Sequence, residues 1–483
     1  MKTIQCENIW IRLLLWLIIS VTVVLVFASS TSPFYVTNGG DSALYRSVGY
    51  MWQQGSLPYV DIFDNKGPYL YLIERLGALL SGQAVWGIVL LQVLNLAIVA
   101  ELCYRIAHIF TAKAAMAAGA TAMAFVYLII TFQGGNLTED WSLLFMLLPL
   151  YLALRRIKEI SKPEPPLYAF IYGLCFGVLS FIRINNAYVI VGVVVGIGAL
   201  LIMRRRFREL GMDALWFVVG MVAGMAPMLI YFAAKGALGE MFYCVFVYNL
   251  KYSEVWPTLQ KISYTRNLWL LLPSLIASYV IMVYDRKNRT NYRYVVFASA
   301  AVFFLAFFRS TGFIHYYLLA MPLMLTMFAA ALAMSSWQAF LVALVAYVPF
   351  YQEAKAVFEN VKSGFDIDAG DRAYQHIGSV IPEADRDDVF LYNLTLAHNA
   401  AVTYGDLKPS CRFTYLNESV MAVDERYRKE MEEYMTVQRP KWILCAGQPS
   451  NPVFIKMLED YTVYGSYISM YVLLRKDMVV EIR

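Results

Sequence analysis

Residues 114–132 read AAMAAGATAMAFVYLIITF, nineteen positions without a charge, and QGGNLTED follows at once over 133–140. A run of that length approaches the roughly 20 apolar residues that cross a hydrocarbon core. Trp10 to Phe27, Val85 to Cys103 and Leu215 to Ala234 do the same. The rest of the composition agrees. Hydrophobic residues make up 59% of the 483, charged residues only 16%, and mean hydropathy is +0.53. A soluble chain of this size has to wet its exterior and does not carry so much apolar surface. The chain reads as a polytopic α-helical membrane protein.

The apolar blocks, taken in order, predict about eleven transmembrane helices. Arg105 and Lys113 form one basic group between them, and Arg155, Arg156, Lys158 and Lys162 a second. Arg204, Arg205, Arg206 and Arg208 follow, then Arg286, Lys287, Arg289 and Arg293. If spans alternate, all four lie on the side of the N-terminus, and the positive-inside rule puts that side in the cytoplasm. The net charge of +5 is then a topological signal, and no nucleic-acid partner is expected. The basic, apolar N-terminus resembles a signal peptide, but its length and the spans behind it favour an uncleaved first helix. The last pair, 315–334 and 337–351, is joined only by the uncharged turn Ser335-Ser336.

An odd span count also puts the C-terminal region outside. The expected division is a membrane part over 1–351 and a small soluble α/β domain over 352–483. Apolar runs Val389–Leu391, Trp442–Cys445 and Tyr467–Leu474 predict strands there, and Glu425–Met435 a helix. No GxGxxG and no P-loop points to a nucleotide. The six cysteines include no CxxC; Cys411 and Cys445 could pair outside the cell, though unpaired thiols are expected. Gly220/Gly224 and Gly192/Gly196/Gly198 predict helix-packing contacts.

The outward loops carry the chemistry. In the first, Asp41 precedes Leu44, Tyr45, Val48, Met51 and Trp52 at helical spacing, which predicts a helix lying flat in the interface. Asp41 would start that helix, either as a cap or as a reactive acid. Asp61, Asp64 and Lys66 follow. The second loop sets Glu139 and Asp140 at a span's start, with Asn136 or Thr138 as the expected cap. A carboxylate in the bilayer costs several kcal/mol, so these acids face water or a protein cavity. Arg183 adds a cation at the same level, and Arg309 stands ahead of His315, Tyr316 and Tyr317. Carboxylates with cations suit attack on a lipid-phosphate-linked sugar, a carboxylate taking the acceptor's proton and cations stabilising the departing phosphate. They suit ion or anion passage equally.

The pattern resembles the GT-C superfamily of polyprenyl-phosphate-sugar-dependent glycosyltransferases, in particular its bacterial protein-mannosyltransferase-like and aminoarabinose-transferase-like members. The resemblance rests on Gly40-Asp41-Ser-Ala-Leu-Tyr45 and Asp61-Ile-Phe-Asp64-Asn-Lys66-Gly-Pro68, with Asn136-Leu-Thr-Glu139, Ile182-Arg183-Ile-Asn185 and His315-Tyr316-Tyr317 in support. It implies transfer of a hexosyl or pentosyl group to a glycan, lipid or protein hydroxyl at the outer face of a bacterial cytoplasmic membrane. It implies Asp41 and Glu139 as catalytic acids. Lys66, Asp64, Arg183, Arg309, His315 and Tyr316 are the residues expected to bind donor phosphate or substrate. Relatives carry Asp at the position of Glu139, and Glu and Pro where Asn65 and Gly67 stand here. No cofactor is expected, although Asp41 with Glu139 could hold a divalent metal. The competing readings are a transporter or flippase, and a polymerase or ligase, of lipid-linked sugars.

Overall fold

The computed structural model describes residues 8–34, 39–160, 165–259, 264–362, 376–377, 379–467 and 469–478. Lys162 and Cys6, and residues 35–38 of the first outward loop, lie outside them. The helices run α1 (Ile9–Phe27), α2 (Gly40–Gln53), α3 (Pro68–Ser81), α4 (Trp86–Phe110), α5 (Ala114–Thr131), α6 (Thr138–Lys158), α7 (Leu167–Arg183), α8 (Tyr188–Met203) and α9 (Phe207–Ala234). After two short helical turns come α10 (Asn249–Leu259), α11 (Tyr264–Asn288), α12 (Arg293–Phe307), α13 (Ile314–Leu318), α14 (Met321–Met334), α15 (Ser336–Tyr347) and α16 (Tyr351–Lys362).

Seven helical stretches among the described residues are long and apolar enough to cross a membrane, and Leu167–Met203 is one of them. The protein is multi-pass, but eleven spans are not reached on these grounds. At about 1.5 Å per residue, α12 and α14 reach only about 21–23 Å of a core near 30 Å. The charges at both ends of α6 lower its hydropathy although its 21 residues are long enough.

Two compact units can be described separately. The first is Met1–Ala28, Leu91–Ile230 and Gln260–Gly364. Its helices meet through small residues, as expected: Gly192 and Gly196 of α8 lie against Ser299 and Val295 of α12, and Gly220 of α9 against the Phe170 carbonyl of α7. Large side chains such as Ile18 of α1 and Val222 of α9 stay exposed, which suits a lipid surroundings. Glu101 is held by three partners. Arg12 gives Nε to Oε2 at 2.9 Å and Nη2 to Oε1 at 3.0 Å, Trp16 gives Nε1 at 3.1 Å, and Arg105 gives Nε at 2.7 Å. Surrounded in this way, Glu101 fastens α1 to α4.

The second unit is Ser29–Leu90, Tyr231–Leu259 and Phe365–Arg483. Its sheet runs β1 (Val389–Tyr392), β2 (Trp442–Ala446), β4 (Met470–Arg475), β3 (Tyr461–Tyr467), with β1 and β2 parallel and the other pairs antiparallel. The expected single strand Tyr467–Leu474 is instead the turn and second arm of a hairpin. Ser469, at φ 62°, reverses the chain there. Cys411 and Cys445 are both free and buried.

The α2 helix forms where its spacing predicts, and protein covers its polar side as well as its apolar one. Ser42 through Trp52 are all buried, because α3 packs on one side and residues 397–404 on another. At the crossing with α3, a Cβ on Gly49 would stand 2.3 Å from the Glu74 Cβ, so only glycine allows this approach. Periodicity shows one apolar face and gives no sign that a distant segment covers the other.

Candidate active site

Asp41, Asp64 and Lys66 fall in the second unit. Glu139, Arg183, Arg309, His315 and Tyr316 fall in the first. Each group has its own geometry.

Asp41 stands half-buried in the first turn of α2, after an N-cap glycine that offers no side-chain oxygen. Its charge there is favoured by the helix dipole. Among the described residues it makes no hydrogen bond or ion pair, which leaves a carboxylate able to accept a proton. Asp64 is the opposite case. It is 1% exposed and both oxygens are occupied: Tyr415 Oη donates to Oδ1 at 2.8 Å, the Asn65 N–H to Oδ1 at 2.6 Å, and Tyr71 Oη to Oδ2 at 2.5 Å. Asp64 therefore fixes the loop, and its geometry offers a ligand nothing directly.

What that loop presents is Lys66. The Lys66 carbonyl accepts from Tyr59 Oη at 2.7 Å, and its N–H donates to Tyr71 Oη at 3.3 Å. Asn65 is locked by Asn249, which donates Nδ2 to the Asn65 carbonyl at 2.7 Å. The Lys66 ammonium donates to Asn65 Oδ1 at 2.7 Å and lies 5.9 Å from the centre of the Tyr45 ring. It makes no ion pair among the described residues. A rigid backbone carrying an uncompensated ammonium suits a phosphate.

In the first unit the loop 133–136 is left-handed throughout, with φ of 46°, 89°, 70° and 58°. Gly134 and Gly135 take this conformation readily; Gln133 and Asn136 do so at a cost of about 1–2 kcal/mol each. Hydrogen bonds offset it. Asp140 Oδ1 accepts from the Leu137 N–H at 2.6 Å and Oδ2 from the Asn136 N–H at 3.1 Å, while Asn136 Oδ1 accepts from Trp141 Nε1 at 3.0 Å. Asp140 thus caps α6 from inside its first turn. The cap is neither Asn136 nor Thr138, because Leu137 occupies the N-cap position and has no acceptor of its own.

That turn leaves Glu139 pointing elsewhere. Glu139, 1% exposed, receives Arg183 Nη1 on Oε1 at 2.5 Å and Thr138 Oγ1 on Oε2 at 2.9 Å. The Arg183 guanidinium carbon sits 4.5 Å from the centre of the Tyr316 ring. Gln133 Oε1 accepts the His315 N–H at 3.1 Å and lies 2.6 Å from Nδ1. An amide oxygen only accepts, so Nδ1 is the donor in that contact. Glu139, Arg183, Tyr316 and His315 form one chain of contacts. Arg309 does not join it; it is exposed in the turn after α12. A double-mutant cycle over Glu139→Gln and Arg183→Gln should give a coupling of about 1–3 kcal/mol in unfolding experiments. Additive effects would contradict the pairing.

A third cluster is not announced by any motif. Arg412 gives Nη1 to Glu240 Oε1 at 2.8 Å and to the Tyr59 carbonyl at 2.8 Å, and Arg426 gives Nη2 to Glu240 Oε2 at 2.6 Å. Asp424 Oδ2 accepts from Tyr243 Oη at 2.7 Å and Lys251 Nζ at 3.0 Å. Burial raises the pKa of Glu240, but Arg412 and Arg426 outweigh it and leave the net value lowered. Burial of Asp424 is likewise outweighed by Tyr243 and Lys251. Because both folded values are depressed, their stabilisation is complete above the unfolded carboxylate range, about pH 4. It is lost as pH falls through the folded values. Melting temperature should therefore drop below about pH 4, and Glu240→Gln with Asp424→Asn should flatten that drop. An unaltered acid limb in the double variant would rule these groups out.

Among the described residues no three His, Cys, Asp or Glu side chains gather as a metal site.

The family described as competence-induced protein Ccs4 N-terminal domain matches residues 5–342. No curated protein sequence matches the chain. Among solved structures, ArnT from Cupriavidus metallidurans bound to undecaprenyl phosphate superposes with a TM-score of 0.60 at 13% identity, over 97% of this chain and 98% of that one. The Archaeoglobus fulgidus oligosaccharyltransferase in its apo form gives 0.56 at 12% identity, over 92% and 70%. Archaeal AglB from the same organism, with an inhibitory peptide and a dolichol-phosphate, gives 0.50 at 13% identity over 90% and 69%. The chain therefore shares the fold of ArnT and of the archaeal oligosaccharyltransferase.

Proposed function

The chain belongs to the family of the competence-induced protein Ccs4 N-terminal domain, and on that premise we propose that it is a membrane glycosyltransferase using a polyprenyl-phosphate sugar. The observation that carries this reading is a fold shared along nearly the whole chain with ArnT, which was solved with undecaprenyl phosphate. The acceptor is a hydroxyl of a glycan, lipid or protein at the outer face of a bacterial cytoplasmic membrane. The N-terminus is cytoplasmic, and the part of the chain that carries the β1–β4 sheet lies on the outer side.

The geometry of each residue supports the following roles. Asp41, a carboxylate without a partner among the described residues, takes the proton from the acceptor hydroxyl. The acceptor oxygen then forms its bond to the sugar carbon as the sugar–phosphate C–O bond breaks. The electron pair leaves with the phosphate, and the sugar carbon is inverted. Lys66 meets the growing phosphate charge. Within the first unit Arg183, held by Glu139 and Tyr316, is the candidate donor-binding cation. His315, fixed by Gln133, hydrogen-bonds the sugar or the phosphate. Arg309 adds positive charge at the rim, and Asp64 positions Lys66.

The test supplies membranes containing the protein with radiolabelled undecaprenyl-phosphate sugars or labelled nucleotide sugars. Label should reach an acceptor from the lipid donor and fail to do so from the nucleotide donor alone once lipid-linked synthesis is blocked. Direct use of the nucleotide sugar would overturn the proposal.

A further inference from the structure

Within the second unit a cavity of about 570 Å³ lies where the end of α2 and the loop after it meet residues 408–412 and the helix Glu425–Val437. None of the residues assigned to transfer lines it. Asp41 and Met51 stand ten residues apart on α2, so about 15 Å of helix separates the reacting acid from the cavity wall.

The lining is mixed. Met51, Val60 and the Tyr434 ring bring apolar surface, Gln54 and Lys408 bring hydrogen-bonding groups, and Ser410 Oγ and Tyr434 Oη, 2.5 Å apart, bond each other and keep only their remaining capacity for a ligand. The strongest charges of the wall are already engaged. Arg412 grips Glu430 with Nε on Oε1 at 2.6 Å and Nη2 on Oε2 at 2.5 Å, and gives Nη1 to Glu240. A guanidinium used in this way has no fork left for a phosphate. The main chain is taken too: the Lys408 N–H donates to the Arg386 carbonyl, the Ser410 N–H to the Val389 carbonyl, and the Arg412 carbonyl accepts from the Phe63 N–H. An extended peptide finds no open edge there. Side-chain donors and acceptors beside a small apolar face remain, and these suit a hydroxylated ring with one C–H face.

We propose that this cavity is a subsite for sugar rings of a glycan acceptor, held at a distance from the hydroxyl that reacts. The proposal rests on the transferase reading and adds the acceptor's class. Binding energy gathered there places the acceptor before the chemical step.

The test uses the full chain in detergent, with chitopentaose, maltopentaose and a pentapeptide as probes, read by saturation-transfer NMR. At least one pentasaccharide should bind, and Asp41→Asn should bind it as well as the wild type. Gln54→Ala, Lys408→Ala and Tyr434→Phe should each weaken binding by about threefold to tenfold. Binding of the peptide alone, binding of no sugar, or sugar binding unaltered in all three variants would overturn the subsite. In the transfer assay the same variants should raise acceptor KM and leave kcat and donor KM unchanged; transfer with an unchanged acceptor KM overturns the subsite alone. Sugar binding through these residues without any transfer leaves the subsite standing and removes the transferase reading.

Discussion

Asp41→Asn should lower kcat for transfer by about 10²–10⁴-fold, the range lost when a positioned general base is removed. The amide matches the carboxylate in shape but accepts no proton. The fold around it should survive. The buried run Ser42–Trp52 anchors α2, and Asp41 itself has no partner among the described residues to lose. Losing its interaction with the helix dipole costs only about 0.3–1 kcal/mol. A capping role and a catalytic role therefore separate cleanly. A cap predicts a melting temperature a few degrees lower with kcat intact; a base predicts a collapsed kcat at nearly unchanged stability. Both are measured on one purified variant.

Asp64→Ala should be the most destabilising of the loop substitutions, by about 3 kcal/mol or more. Each of its three donors, Tyr71 Oη, Tyr415 Oη and the Asn65 N–H, would be left in a buried site, at about 1–3 kcal/mol apiece. Tyr71→Phe with Tyr415→Phe removes the hydroxyls but leaves the carboxylate, so it should also destabilise. The triple variant, which strands no side chain and leaves only the Asn65 and Lys66 N–H groups without their acceptors, should recover part of the loss. Thermal unfolding in detergent checks the order. Transfer should fall with Asp64→Ala even below its melting temperature, because Lys66 loses its fixed loop. Stability within a few tenths of a kcal/mol of the wild type would contradict the network.

The membrane character, the helix after Asp41 and the small C-terminal sheet were all legible in sequence, since each depends on local spacing or on length against bilayer thickness. The sequence offered Arg183 and His315-Tyr316 only as groups at the level of the second-loop acid; the Glu139–Arg183–Tyr316 contacts come from the structure. What stayed hidden depends on contacts distant in sequence. Tyr415 lies 351 residues from Asp64, and nothing in the motif Asp61–Pro68 says that its inner acid is structural. The cap of α6 was misplaced because Asn136 and Thr138 are better cap types than Leu137; a loop of four left-handed residues sets the register instead. The Glu240–Arg412–Arg426 cluster joins two segments far apart in the chain, and isolated charges in a loop carry no periodic signal. The count of spans was blurred by α12 and α14, which are apolar but short.

The most direct measurement is the stoichiometry of products from purified protein given a labelled undecaprenyl-phosphate sugar and a glycan acceptor. One undecaprenyl phosphate should be released for each sugar transferred, and neither should appear with Asp41→Asn. Movement of an intact lipid-linked sugar across the bilayer with no undecaprenyl phosphate released would contradict the account and mark the chain as a flippase.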